Sequence, residues 1–288
     1  MYINDNLEYK VEDKGYALKY KVISNNDKSY VTITGVKCLS PYFTDHGVIN
    51  IPDSIDGHSV NYIQRAAFSE NTYVKHVTIP SSISGISNYA FKGSNIESVF
   101  ISPGVSYIDS HAFEGCHNLK EVNFSEGIKT IEFAAFRNCC SLKTIIFPDS
   151  LTDLGEQALD DCYSLESIYI GSDLESIGMS HISDLASGCQ SLKRITVSPL
   201  NKCFRVENNV LYNMPHKTLV KVLNDSTKKD MVIPTWVKEV SIDSFIDVEL
   251  SSLKIKQKEL FGVDDAKITT AADIYCVPNS RVYKFFKK

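Results

Sequence analysis

The chain has 288 residues, 43% of them hydrophobic and 23% charged, which is the composition of an ordinary globular protein. Its formal net charge of −5 gives no broad attraction to nucleic acid. No apolar run approaches the roughly 18 residues that a membrane span needs, so no membrane insertion is expected.

The opening M-Y-I-N-D-N-L-E-Y-K has no basic stretch followed by an apolar one, so no signal peptide is expected in this chain. Residues 1–46 precede any repetition. In them Tyr2 to Val11, Tyr16 to Ile23 and Tyr30 to Val36 alternate apolar and polar side chains. The turn-rich S-N-N-D-K-S at Ser24 to Ser29 separates the second from the third. This reads as two or three antiparallel strands forming an N-terminal β cap.

From 47 to 245 one pattern recurs. An Ala-Phe pair places phenylalanine at 68, 91, 113 and 136, and Leu159 takes the fifth place, with intervals of 23, 22, 23 and 23 residues. Ile101, Phe124, Phe147 and Ile170 mark another position at a constant interval of 23. Self-similarity at this period is the signature of a solenoid. Within a copy, a segment such as L-K-T-I-I-F alternates and is β-branched, which predicts a short strand. Pro52, Pro80 and Pro148 end that pairing, because proline donates no ladder hydrogen bond. A second extended piece, V-x-x-I or L-x-x-L, follows. The Ala-Phe segment then predicts one or two short helical turns. The fold class is therefore an α/β repeat solenoid with a parallel β-sheet on one face and β-rich caps at both ends. One copy cannot bury its own apolar face, so stacked copies share a continuous core.

The copy after Ile170 is stretched around Met179 to Leu185. At about 200–225 the repeat lapses into a predicted β-hairpin insert, with turns at Asn208-Asn209 and Asn213 to His216. It resumes from Val232 to Phe245. Residues 246–288 hold predicted strands at Leu253 to Ile255, Ala266 to Ile268 and Ile274 to Val277, and a short helix at Val282 to Lys287, as a C-terminal cap.

Eight cysteines contain no C-x-x-C pair, so a zinc or redox motif has no support. Cys116, Cys139, Cys162 and Cys189 share one repeat position and predict a ladder of buried thiols packing as small hydrophobes. The seven histidines are scattered, and His111 and His117 lack a carboxylate at ligand spacing, so no metal and no cofactor are expected. Asp160-Asp161 read as a solvated face rather than as acid/base chemistry. No P-loop, G-x-S-x-G or G-x-G-x-x-G occurs, and no enzyme is expected. The sequons at Asn123 and Asn224 read as chance matches.

In each first strand the residue between the two inward apolars points outward. These are Thr78, Phe100, Asn123, Ile146, Tyr169 and Thr196, with His76, Ser98, Glu121, Thr144, Ser167 and Arg194 in the next outward column. Phe100, Ile146 and Tyr169 are apolar or aromatic where folding alone gives no reason for it. An exposed apolar patch on a repeat sheet is a candidate contact surface. The competing readings are strand propensity, or cover by a flank. Trp236 points either outward or under the C-terminal flank.

The pattern C-x-x-L-x-x-I-x-I-P-x-x-V-x-x-I-x-x-x-A-F resembles the BspA-type (treponemal-type) leucine-rich repeat, over about residues 47 to 245. The resemblance implies a leucine-rich-repeat solenoid in a protein of the bacterial cell surface or a secreted one. It also implies a non-enzymatic protein-binding or adhesion module whose partner is a host or matrix protein, or a glycan. A monomer is expected. The alternative, suggested by the missing leader and the unpaired cysteines, is a cytoplasmic scaffold or sensor.

Overall fold

The computed structural model describes residues 2–11, 15–25, 28–39, 47–178, 185–223, 230–241, 244–246, 248, 250–257, 259–261 and 273–276. The predicted strand at Ala266 to Ile268, the helix at Val282 to Lys287, His46, His181 and the sequon at Asn224 lie outside the described residues, as does most of Met179 to Leu185.

Each copy makes two strands and a tight turn, and each of the three stacks on its counterpart in the next copy. The first strands run parallel. Val48–Asn50, His76–Ile79, Ser98–Ile101 and Glu121–Phe124 form one sheet, and Thr144–Ile146, Ser167–Ile170 and Arg194–Val197 form the next. The second strands build the longest sheet, through Gly85–Ile86, Tyr107–Ile108, Thr130–Ile131, Asp153–Leu154 and Ser176–Ile177. At its N-terminal end three antiparallel strands, Tyr2–Val11, Tyr16–Asn25 and Lys28–Cys38, extend this same sheet. Lys28–Cys38 pairs parallel to His58–Ile63, so the opening segment joins the array edge to edge. An edge strand covered in this way cannot recruit another chain.

The Ala-Phe segments are not helical turns. No helix occurs among the described residues. Alternate amides along each segment bond in different directions. The N–H groups of Phe68, Phe91, Phe113 and Phe136 donate to the carbonyls of Ala90, Ala112, Ala135 and Ala158 in the next copy, at 2.7, 2.7, 2.7 and 2.9 Å. Those of Ala90, Lys92, Ala112 and Glu114 donate three residues back within their own copy. A helix would need all of them to bond four residues back. Two left-handed residues per copy set this alternation. One precedes the pair (Tyr89, His111, Ala134 and Gln157, φ 60, 59, 53 and 59°), and one follows it (Gly93, Gly115, Asn138 and Asp161, φ 67, 70, 61 and 59°). The turns thus form a third hydrogen-bonded ladder beside the two built by the strands.

Inside, Phe68, Phe91, Phe113 and Phe136 are fully buried and stacked, with ring centroids 4.8, 5.0 and 5.1 Å apart and planes within 7°. Burial of each contributes on the order of 2 kcal/mol. Cys116, Cys139, Cys162 and Cys189 are buried beside them, and none of the eight cysteines is in a disulfide. Each buried thiol donates to the carbonyl of the pair residue one copy back: Phe91, Phe113, Phe136 and Leu159, at 3.0, 3.3, 3.2 and 3.2 Å. The column is thus more than hydrophobic filling, because it satisfies a buried acceptor in each copy. Ser94 holds the same place one copy before Cys116, with its Oγ 3.5 Å from Cys116 Sγ.

At the lapse of the repeat, Phe204–Glu207 and Val210–Asn213 pair antiparallel around Asn208 and Asn209, both left-handed (φ 51 and 63°) as a type I′ turn requires. Thr218–Val222 pairs antiparallel to Val210–Asn213 on one edge and parallel to Glu239–Val240 on the other. Val210–Asn213 and Thr218–Val222 are buried along their whole length. Leu211, Val220 and Leu223 face the N-terminal core. Val210, Tyr212, Leu219 and Val222 face a second core, with Ile233, Phe245 and Leu253. The insert is a wall between two cores. Beyond it, Asp230–Ile233, Ser252–Ile255 and Asp273–Cys276 again run parallel, with Met231, Leu253 and Ile274 in register.

Candidate functional site

The outward column of the first strands lies where alternation puts it. Asn50, Thr78, Phe100 and Asn123 are in register across one sheet, and Ile146, Tyr169 and Thr196 across the next. Asn123 and Thr196 are exposed, and Thr78 and Tyr169 half-buried. Phe100 and Ile146 are open to solvent at 46% and 60%. The inward neighbours Val99, Ile101, Ile145 and Ile168 are closed.

Beside this column runs a hydrogen-bonding one. His76 Nδ1 and Ser98 Oγ are 2.8 Å apart, and Thr144 Oγ1 and Ser167 Oγ 3.0 Å apart. Asn123 Nδ2 donates to Glu121 Oε1 at 2.9 Å, so this amide is held in place by its own strand. Lys120 and Glu97 form an ion pair at 2.7 Å along the strand entrances, and it holds the Glu97 carboxyl below its usual range.

The structure does not bring all six residues onto one unbroken sheet. Among the described residues no ladder joins Glu121–Phe124 to Thr144–Ile146. Two sequence features fall at this break. Phe124 and Phe147 meet in the inward column, centroids 6.0 Å apart, where other copies place isoleucine. Pro148 stands where Ser102 and Ser125 donate to the preceding copy. Phe100 with Asn123, and Ile146 with Tyr169, thus form two adjacent halves.

Trp236 is half-buried and packs on Tyr212 at 4.9 Å, against the second core. It takes no part in the outward column.

Sequence reasoning missed a cluster on the turn face. The Tyr89 and His111 rings stack at 4.9 Å, and His111 meets Phe133 edge-on at 5.2 Å. The Arg65 guanidinium lies 4.7 Å from the Tyr89 ring centre. His111 does have a carboxylate partner: its Nδ1 is 2.9 Å from Glu114 Oε2, which also pairs with Lys92 at 2.7 Å. The tight turn brings His111 and Glu114 to one side. The signal was available in the ring-bearing residues at one repeat position, Tyr89 and His111.

Asp160 is not simply solvated. Its Oδ1 accepts the Ser187 N–H at 3.0 Å across to the next copy, and burial raises its carboxyl to about 6. Asp161 pairs with Arg137 at 3.4 Å. Both carboxylates tie copies together. No cluster of three metal-ligating side chains occurs among the described residues.

A stacked two-strand repeat with an outward-facing parallel sheet defines a solenoid of the leucine-rich-repeat class. The BspA type leucine rich repeat region matches residues 46–162 and 118–228, and the chain belongs to that family. It is similar in fold to a leucine rich cell surface protein of Faecalibacterium prausnitzii, at 21% identity and TM-score 0.59, covering 95% of this chain and 73% of that one. It is likewise similar to the pneumococcal vaccine antigen PcpA, at 20% identity and TM-score 0.61 over 94% and 70% of the two chains. The T. pallidum leucine rich repeat protein aligns at 24% identity and TM-score 0.52 over 66% and 82%. No curated protein matches the sequence.

Proposed function

We propose that this chain is a non-enzymatic binding or adhesion module of the bacterial cell surface. It holds a protein or glycan partner on the first-strand face around Phe100, Asn123, Ile146 and Tyr169, flanked by Thr78 and Thr196. The observation that carries the reading is the exposure of Phe100 and Ile146 on two adjacent sheet halves whose other outward positions include Thr78, Asn123 and Thr196. Two large apolar side chains, one on either side of Asn123 and with polar ones around them, have the make-up of a contact patch. Location at the surface is supported by the likeness to the leucine rich cell surface protein of Faecalibacterium prausnitzii.

The test is the double variant Phe100→Ser, Tyr169→Ser, measured against matrix proteins and a glycan array. Binding should fall at least tenfold while the melting temperature moves by only a degree or two. Undiminished binding would move the contact to another face.

A second reading, an intracellular scaffold, is favoured by eight cysteines with no disulfide among them. Fractionation of the native organism separates the two.

A further inference from the structure

A cavity of about 310 Å³ opens beside the hairpin wall, away from the first-strand face of the N-terminal copies. That volume is at the lower end of the range for small-molecule sites. Its lining is mostly apolar, with Val210, Val222, Met231 and Leu250 among the side chains. Two carboxylates, Glu207 and Asp230, stand in the same lining, and no lysine or arginine does among the described residues. Arg205 holds Glu207 Oε1 at 3.1 Å, and Ser252 Oγ donates to Asp230 Oδ1 at 2.6 Å. Among the described residues, two carboxylates thus stand against one guanidinium at the mouth.

Tyr212 also lines the cavity. It is only 3% exposed, yet its hydroxyl has no hydrogen-bond partner among the described residues. Burial, with Glu207 adding to it, raises the phenol to about 12, so it stays a neutral donor and acceptor at any ordinary pH.

We propose that this cavity binds a small amphipathic amine, with its alkyl or aryl body among Val210, Val222 and Leu250 and its ammonium head at Tyr212, Glu207 and Asp230. An apolar pocket with a few convergent polar groups takes its specificity from those groups. The carboxylates reject an acid of the same shape by repulsion, and a neutral analogue gains no charge-assisted hydrogen bond from them.

The probes are phenethylamine, 3-phenylpropionate and 2-phenylethanol, titrated into the full chain by calorimetry. Phenethylamine should bind at least tenfold more tightly than the other two. Glu207→Gln with Asp230→Asn should abolish that preference, and Tyr212→Phe should weaken the amine several-fold. Val232→Trp closes the mouth from a half-exposed position, 50% open, without entering the core, and should remove binding while the melting temperature holds. Equal binding of all three probes, no binding of the amine, or amine binding unchanged in Val232→Trp each overturns the proposal.

Discussion

Residue identity decides which copies do more than stack. The inward positions, such as Val99 and Ile101, are closed and vary only among apolar side chains. The outward ones vary freely, and Phe100 and Ile146 are exceptions that folding does not require. Asp160 is another individual departure. Its carboxyl is raised to about 6 by burial, with Asp161 adding to the effect and the Ser187 N–H, Arg137 and Lys221 opposing it. In the unfolded chain it titrates near 3.9. The folded state therefore holds the proton more tightly. This stabilisation is complete below about pH 4 and is lost as pH rises through about 6. Asp160→Asn keeps the oxygen that accepts the Ser187 N–H and removes the titration. The variant should gain on the wild type by roughly 2 kcal/mol between pH 4 and pH 7, read from urea midpoints at the two values. A gap that stays constant would remove the assignment.

At the scale of the element, periodicity exposed both strands of each copy, because alternation and β-branching are local properties. It gave the Ala-Phe segment the wrong conformation. Short length and mixed polarity suit a helical turn, and nothing in one copy reveals that Phe91 or Phe113 N–H has a carbonyl waiting in the next. The positive φ at Tyr89 likewise has no sequence signal, since tyrosine is not among the residues enriched there, as histidine is at His111. The break in the first-strand sheet was half legible. Phe124, Phe147 and Pro148 were visible, and their joint effect on pairing was not. Amides at Thr144 and Ile146 should exchange with deuterium at least tenfold faster than those at Ser167 and Tyr169 one copy on, measured by NMR or mass spectrometry. Matching rates would mean that the rung is intact.

For the molecule as a whole, the hairpin wall matters most. Leu211 and Val220 belong to one core, and Tyr212 and Leu219 to the other, so two strands close the end of one unit and found the next. In a repeat array each unit feels only its neighbours. Leu219→Ala should cost the C-terminal unit about 2–5 kcal/mol. Exchange at Leu253 and Ile255 should accelerate while Val99 and Ile101 stay protected. Equal acceleration in both places would make the chain one cooperative unit.

The sequence by itself determined the repeat, its 22–23 residue step, the inward columns of phenylalanine and cysteine, and the outward set from Thr78 to Thr196. All of these depend on side-chain spacing along one chain. Tertiary structure alone decided the conformation of the turns, the split between Asn123 and Ile146, the pairing of His111 with Glu114, and the cavity at Tyr212. Each depends on where a backbone or side chain of another copy comes to lie, and spacing within one copy carries no record of that.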